Sequence, residues 1–246
     1  MIAVSIVSHG HGEMVGRLVG QLLAFPEVAQ IILTLNVPES VALPDDARVM
    51  VIGNAEPKGF GANHNAAFAD CTQTFFCPLN PDIEFNRNPF PVLLDALGNS
   101  RAAVVAPLVK SPDGKIEDSI RHFPRPGSLL AKALGVGDGR YVVREGQSDF
   151  FPEWVAGMFM LFRSDDFLCL GGFDEDFFLY YEDVDICVRM WQIGMKILAC
   201  PKVSVIHDAR RDSHRRLRHL RWHLASIVRY FRKHRGRLPR VPEVQP

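Results

Sequence analysis

The sequence predicts an α/β fold, a mostly parallel central sheet flanked by helices, with a basic amphipathic helix at its C-terminal end. Short apolar runs alternate with stretches of helical spacing over the first 110 residues, the pattern of βαβ units. The apolar runs are continuous rather than alternating, as in strands covered on both faces. An apolar stripe with arginines around it then closes the chain.

Taken in order, Ile2–Val7 reads as a buried strand and Ser8–Gly12 as a turn. Leu18, Leu22, Leu23 and Phe25 recur at helical spacing, and Ile31–Leu35, Val49–Ile52 and Phe75–Leu79 read as further strands. The alanine-rich segment Phe60–Ala69 suits a helix. Pro89–Leu97 leads to a strand over Ala102–Leu108. Proline and glycine then punctuate Lys110–Pro152, which reads as irregular excursions over the sheet rather than a second domain. Trp154–Phe162 is expected as a strand and Phe178–Trp191 as a helix. Lys196–Ala199 and Val203–Ile206 are expected as two short strands ending at His207, and Ser213–Lys233 as the last helix. Ligands of such sheets sit at the carboxyl ends of the strands, so Ser8–Gly12, Asn36–Ser40 and Asn80–Ile83 are candidates to share one crevice.

Composition narrows the class. The chain is 47% hydrophobic and 23% charged, which is that of a globular protein. The five cysteines, Cys71, Cys77, Cys169, Cys187 and Cys200, have no CxxC spacing and read as thiols of a reducing compartment. No signal peptide or spanning segment is read, so a cytoplasmic location is expected. The net charge of zero hides an asymmetry: residues 1–209 carry 16 Lys and Arg against 26 Asp and Glu, and residues 210–246 carry 12 against 2. Two units are therefore expected, an acidic body over 1–209 and a basic helix and tail over 210–246.

Function is sought where carboxylates crowd among apolar residues. Gly171–Arg189 packs Asp174, Glu175, Asp176, Glu182, Asp183 and Asp185 between large side chains, an expensive arrangement unless the acids bind, pair or react. On a helix, Asp185 can pair with Arg189 at i, i+4. A neighbour near the helix start stays ionised, which suits a general base, although a solvated helix start would look the same. Asp82, in the proline-stiffened turn Asn80-Pro81-Asp82, can hold a divalent cation that grips a diphosphate, or can simply end its strand. Lys58–Asn65 opens a helix with two glycines, where backbone N–H groups can face an anion. His207 gains value as a ligand only if it meets Asp82.

Together these residues resemble the family 2 glycosyltransferases, in particular the rhamnosyltransferase-like branch that builds bacterial surface polysaccharides. Val4–Ser8 is similar to the family's first nucleotide-site strand, Gly59-Phe60-Gly61 with Asn65 to its GF-x-x-x-x-N element, and Asn80-Pro81-Asp82 to the NPD form of its metal motif. Gly171–Glu175, Phe177-Phe178, Glu182–Asp185 and Arg189 match its GGFDE-x-FF…ED-x-D…R signature. The resemblance implies a GT-A-type nucleotide-binding fold, a nucleotide-sugar donor, Mg²⁺ or Mn²⁺, and inversion at the anomeric carbon. It makes Asp183 the base and Asp82 and His207 the metal ligands. It places Ser8, Asn36, Gly59, Phe60, Asn65, Asn80 and Asp82 at the donor, with Asp185 and Arg189 in support. Trp154, Gly157 and Glu182 would shape an acceptor site, the glycine leaving room for a sugar; Trp154 could equally be core. The chain departs from the pattern at Leu35-Asn36, where many relatives have Asp-Asn or Asp-Asp, at Pro57 for Asn, and at Asn80 for the first acid.

The implied acceptor is a glycan, carried on a polyprenyl diphosphate. In Ser213–Lys233 the stripe of Leu217, Leu220, Leu224, Ile227 and Phe231 lies among Arg215, Arg218, Arg221, Arg229 and Arg232, with Trp222 and Tyr230 at hand. It can pack on the acidic body or lie on the anionic inner face of the cytoplasmic membrane. No nucleic-acid module accompanies it, and none is expected as partner. Two other functions remain open: a sugar nucleotidyltransferase, which lacks a glycine-rich phosphate loop with a basic residue after the first strand, and a degenerate sugar-nucleotide binding module, which Leu35 and Asn80 would favour.

Overall fold

A computed structural model describes residues 1–128, 135, 139–208 and 216–241. Its main sheet has eight strands in the order β3-β2-β1-β4-β9-β6-β10-β5. These are β1 (Ile2–Ser8), β2 (Val28–Leu35), β3 (Val49–Gly53), β4 (Phe75–Leu79), β5 (Ile83–Glu84), β6 (Val104–Lys110), β9 (Leu161–Arg163) and β10 (Ile197–His207). The pairs β1–β2, β2–β3, β1–β4 and β6–β10 are parallel, whereas β9 runs antiparallel between β4 and β6, and β5 antiparallel on β10. A small second sheet pairs β7 (Ile120–Arg121) with β8 (Trp154–Val155). The helices among the described residues that matter here are α1 (Glu13–Leu23), α2 (Phe60–Ala69), α3 (Phe90–Ser100), α4 (Ser164–Cys169), α5 (Glu182–Gln192) and α6 (Arg216–His234).

The sheet is apolar on both faces, which is why its strands read as unbroken hydrophobic runs. Ile2, Val4 and Ile6 of β1 join Val15, Leu18, Val19 and Leu22 of α1 and Leu93 and Leu97 of α3 in one core. Ala3, Phe76, Val104 and Phe162 face the other way, onto Phe167, Phe173, Phe177, Ile186, Met190 and Tyr230. Ser5 also faces that side, and its hydroxyl meets Nδ1 of His64 on α2 at 2.8 Å. Burial without a countercharge pushes the His64 imidazole down to about 3, so it is a neutral part of the core.

Three expected elements came out differently. Phe178–Trp191 is not all helix: Tyr180 and Tyr181 both have φ of 70°, and α5 begins only at Glu182. The segment Trp154–Phe162 is broken into β8 and β9, with Ala156–Met160 between them. Conversely, the two strands expected before His207 are one, β10, whose register against β6 jumps between Cys200 and Ser204. Pro201 falls at that jump and has no N–H to give a ladder. The boundary expected at 209/210, and residues 213–215 of the expected last helix, lie outside the described residues.

The glycines of Gly59-Phe60-Gly61 have a packing role. A Cβ on Gly59 would lie 2.6 Å from the Phe178 carbonyl oxygen, and one on Gly61 would lie 2.7 Å from the Phe173 Cβ. The start of α2 thus presses against the segment that carries the acidic run, and the Phe60 N–H donates to the Phe178 carbonyl at 2.9 Å. Gly59→Ala is expected to force backbone apart here and to destabilise the protein by about 1–3 kcal/mol, measured as a lowered urea midpoint.

Candidate active site

Asp183 is the second residue of α5, and its carboxylate is aimed by two backbone donors. Oδ2 accepts from the Gly157 N–H at 3.0 Å and Oδ1 from the Val184 N–H at 2.8 Å. Gly157 was expected to leave room for a sugar; instead a Cβ there would sit 3.3 Å from the Phe60 ring and 3.4 Å from the Asp183 Cβ. The glycine lets the chain approach the acid. Next to it, Glu182 is 5% exposed and its Oε2 has no partner. Burial and then the neighbouring Asp183 charge push the Glu182 carboxyl well up. Burial also raises Asp183, against the pull of the Gly157 and Val184 amides and the more distant Arg121 charge. A carboxylate raised in this way is a better proton acceptor than a solvated one.

Asp185, one residue further on, has the opposite environment. It is fully buried, which would raise its pKa, yet His234, Arg189 and Lys233 together bring it to about 2. Arg189 reaches it at 2.8 Å as the i, i+4 spacing predicts, and also donates to the carbonyls of Leu170 and Gly172, at 2.7 Å each. Asp185 therefore supports the turn before α5.

Asp82 and His207 do meet. Nε2 of His207 lies 3.3 Å from Asp82 Oδ2, and Nδ1 lies 2.7 Å from Glu117 Oε2. Burial lowers the imidazole pKa, but the two carboxylates outweigh it and carry it up to about 9. The contacts connect this pair with the base. Gly157, on Asp183, is followed by Met158, whose carbonyl accepts the Asn80 N–H at 2.9 Å, and Asp82 is two residues on. Among the described residues, Oδ1 of Asp82 is buried without a partner, an acceptor left for a cation or donor. Carboxylate and imidazole suit Mn²⁺ or Mg²⁺ if further oxygen ligands come from elsewhere. Among the described residues no group of three or more His, Cys, Asp and Glu is arranged to hold a metal, so a diphosphate and water would have to complete the shell.

The other residues expected at the donor are engaged within the fold. The buried Asn36 amide receives the Lys58 N–H at 2.8 Å and gives to the Lys58 carbonyl at 3.0 Å. It also accepts from Asn54 at 2.8 Å. Ser8 is buried, its hydroxyl accepting the His11 N–H at 3.3 Å. Asn65 pairs both amide atoms with the backbone of Phe173, at 2.9 Å each, and reaches Glu175 at 3.0 Å. Trp154 is buried, with its Nε1–H on the His122 carbonyl at 2.9 Å and Arg121 over its ring, a placement that fits the core alternative. Sequence reasoning missed Glu117, Arg121 and Glu39. The first two sit in a segment read as irregular, without periodicity to mark them. Glu39 takes the amides of Gly10 and Gly12, at 3.0 Å each, across a loop.

The chain matches known proteins over almost its whole length. It is 30% identical to the rhamnosyltransferase WbbL of Escherichia coli K12 across 96% of this chain and 94% of that one. The chain belongs to the rhamnosyltransferase-like family of glycosyltransferases. An N-acetylglucosaminyl-diphospho-decaprenol L-rhamnosyltransferase of Mycobacterium tuberculosis is 30% identical over 52% of this chain and 45% of its own. Among solved structures, GalNAc-T7 with UDP, GalNAc and Mn²⁺ superposes with a TM-score of 0.66 at 17% identity, over 86% of this chain and 44% of that one. That likeness establishes the GT-A fold. No family model matches the sequence.

The raised Glu182 has a measurable consequence. A carboxyl whose folded pKa lies above its unfolded value costs stability once pH exceeds the unfolded value, and the cost disappears in acid. The difference in unfolding free energy between the natural protein and Glu182→Gln should therefore shift in favour of the natural protein as pH falls from neutral towards the ordinary glutamate range. Urea titrations at the two pH values read this directly.

Proposed function

We propose that this glycosyltransferase moves a hexosyl or deoxyhexosyl group, rhamnose foremost, from a nucleoside-diphosphate donor to a lipid-linked glycan, with inversion. Asp183 carries the reading: a carboxylate held by the amides of Gly157 and Val184 and raised by burial, at the start of a helix in a family of sugar transferases. In this reading Asp183 takes the proton of an acceptor hydroxyl as that oxygen bonds to the anomeric carbon. The bond from that carbon to the diphosphate breaks on the opposite side, and the nucleoside diphosphate leaves with the electron pair. Asp82 and His207 would hold a divalent cation. When bound, it would neutralise charge on the departing diphosphate. Asn80 and the Gly59-Phe60 turn border the donor, and Glu182, whose carboxyl burial and the Asp183 charge push well up, lies beside the base.

The acceptor proposal draws on the decaprenyl-linked substrate named for the mycobacterial relative and on the surface of α6. Among the described residues no helix is long and apolar enough to cross a membrane. Yet α6 contains no acidic residue, and it exposes Leu220, Leu224 and Val228 at 50–53% beside the exposed Arg221, Arg232 and Arg235. An apolar ridge between arginines suits the interface of an anionic bilayer on its cytoplasmic face, each basic residue near the surface adding about 1 kcal/mol. Co-sedimentation with phosphatidylglycerol vesicles, weakened by Leu224→Glu and absent with phosphatidylcholine alone, is the expected result; equal binding to both lipids contradicts it.

Incubation with a panel of nucleoside-diphosphate hexoses, a polyprenyl-diphosphate N-acetylglucosamine acceptor and Mn²⁺ or Mg²⁺ should extend the acceptor by one sugar. Asp183→Asn is expected to lower turnover by about 10²–10⁴-fold while donor still raises the melting temperature. Glu182→Gln, which removes the neighbouring carboxylate and keeps its size, should retain turnover. Full activity of Asp183→Asn would remove it from the base role.

A further inference from the structure

The apolar stripe of α6 docks only in part: Ile227 and Phe231 pack against the core, whereas Leu220 and Leu224 are exposed. The buried residues of the helix are Ser226, Tyr230 and His234, spaced by four, while Ile227 and Phe231 are half-buried at the margin. Leu217 has no described side chain. The Tyr230 hydroxyl donates to the Pro124 carbonyl at 3.3 Å, and the other contacts gather on the segment that leads into the base. Ser226 Oγ donates to the Leu179 carbonyl at 2.9 Å, and Nδ1 of His219 meets the Tyr180 hydroxyl at 2.9 Å. The Trp222 ring lies 4.7 Å from Phe178 and the Tyr230 ring 5.2 Å from Tyr181. Arg229 pairs with Asp176 at 2.5 Å. Lys233 bridges Asp174 and Asp185 at 2.6 Å each, and His234 holds Asp185 at 2.8 Å.

The segment needs holding. Tyr180 and Tyr181 are consecutive aromatic residues with left-handed backbone, a conformation costing about 1–3 kcal/mol each that persists only when its surroundings enforce it. They immediately precede Glu182 and Asp183, so relaxation of either tyrosine would turn the Asp183 carboxylate away from the Gly157 amide.

We infer that α6 is a clamp on the catalytic segment, and that Ser226, Lys233 and His234 are positioning residues that keep Tyr180–Asp183 in its strained turn and so set the aim of the base. The inference rests on Asp183 being the base for its catalytic half, but the clamp itself is a statement about backbone order. One face of the helix then grips this segment while the opposite face carries the arginines and leucines offered to lipid.

The test combines hydrogen exchange with kinetics on the full chain. In the double variant Lys233→Ala, His234→Ala, the amides of residues 180–185 should lose protection while those of β1 and β4 keep theirs. Turnover should fall by about 10–100-fold with donor KM unchanged, and Lys233→Arg with His234→Gln should restore both readouts. If the double variant does not fold, Ser226→Ala, which removes one hydrogen bond, should show the same pattern at smaller amplitude. Unchanged protection at 180–185 in a folded variant overturns the clamp, whatever the enzyme transfers. Lost protection with unchanged turnover overturns its link to catalysis. If the natural protein transferred none of the sugars offered, the proposed reaction would fail while the exchange result still decided the clamp.

Discussion

A fully buried carboxylate, Asp185, holds together the parts of the molecule that matter for its chemistry. Three side chains converge on it: the cations Arg189 from its own helix and Lys233 from the last one, and the imidazole of His234. Arg189 passes the constraint back to the double-glycine turn through the Leu170 and Gly172 carbonyls, and Lys233 passes it to Asp174. Removing a single partner from such a buried cluster leaves charge uncompensated, at a typical cost of about 3–5 kcal/mol. The acids of this region thus divide by environment. Asp174, Asp176 and Asp185 pair with cations, and among the described residues Glu182 and Asp183 have none in hydrogen-bonding contact.

That division explains why two distant stretches of sequence behave as one unit. The Gly59–Asn65 turn and the Gly171–Phe178 run are the two sides of a single contact, with Asn65 pairing the Phe173 backbone and Gly59 admitting the Phe178 carbonyl. Asn36 fastens the same turn from the other side through Lys58. Asn36 and Asn65, expected at the donor, thus also fasten these segments to one another. Among the described residues, unmet hydrogen-bonding capacity in this region lies at Asp82 Oδ1 and Glu182 Oε2, while His207 has a carboxylate on each ring nitrogen.

Much of this was legible before the fold was known. The alanine-rich helix at 60–69, the strand at 75–79 and the Asp185–Arg189 pair are local matters, decided by propensity and by i, i+4 spacing, and they stand where expected. The start of α5 was not legible, because nothing local favours left-handed tyrosines; contacts with α6, some 40 residues later, impose them. Periodicity found the amphipathic nature of α6 and left its docked side open; Ile227 and Phe231 of the stripe pack at the margin of the core, and Ser226, Tyr230 and His234 beside them are the buried residues. Glu117 escaped because a carboxylate in an irregular segment announces itself only when the fold brings His207 against it. Asp82 and His207, 125 positions apart, met because β5 pairs antiparallel with the end of β10.

A crystal structure with a nucleoside diphosphate and Mn²⁺, read by the anomalous signal of the metal, addresses the central claim most directly. The account predicts manganese coordinated by Asp82 and His207 and by diphosphate oxygens, with the Asp183 carboxylate facing the donor from the side opposite the leaving group. Manganese bound elsewhere, or Asp183 turned away from the side an acceptor must enter, would contradict it.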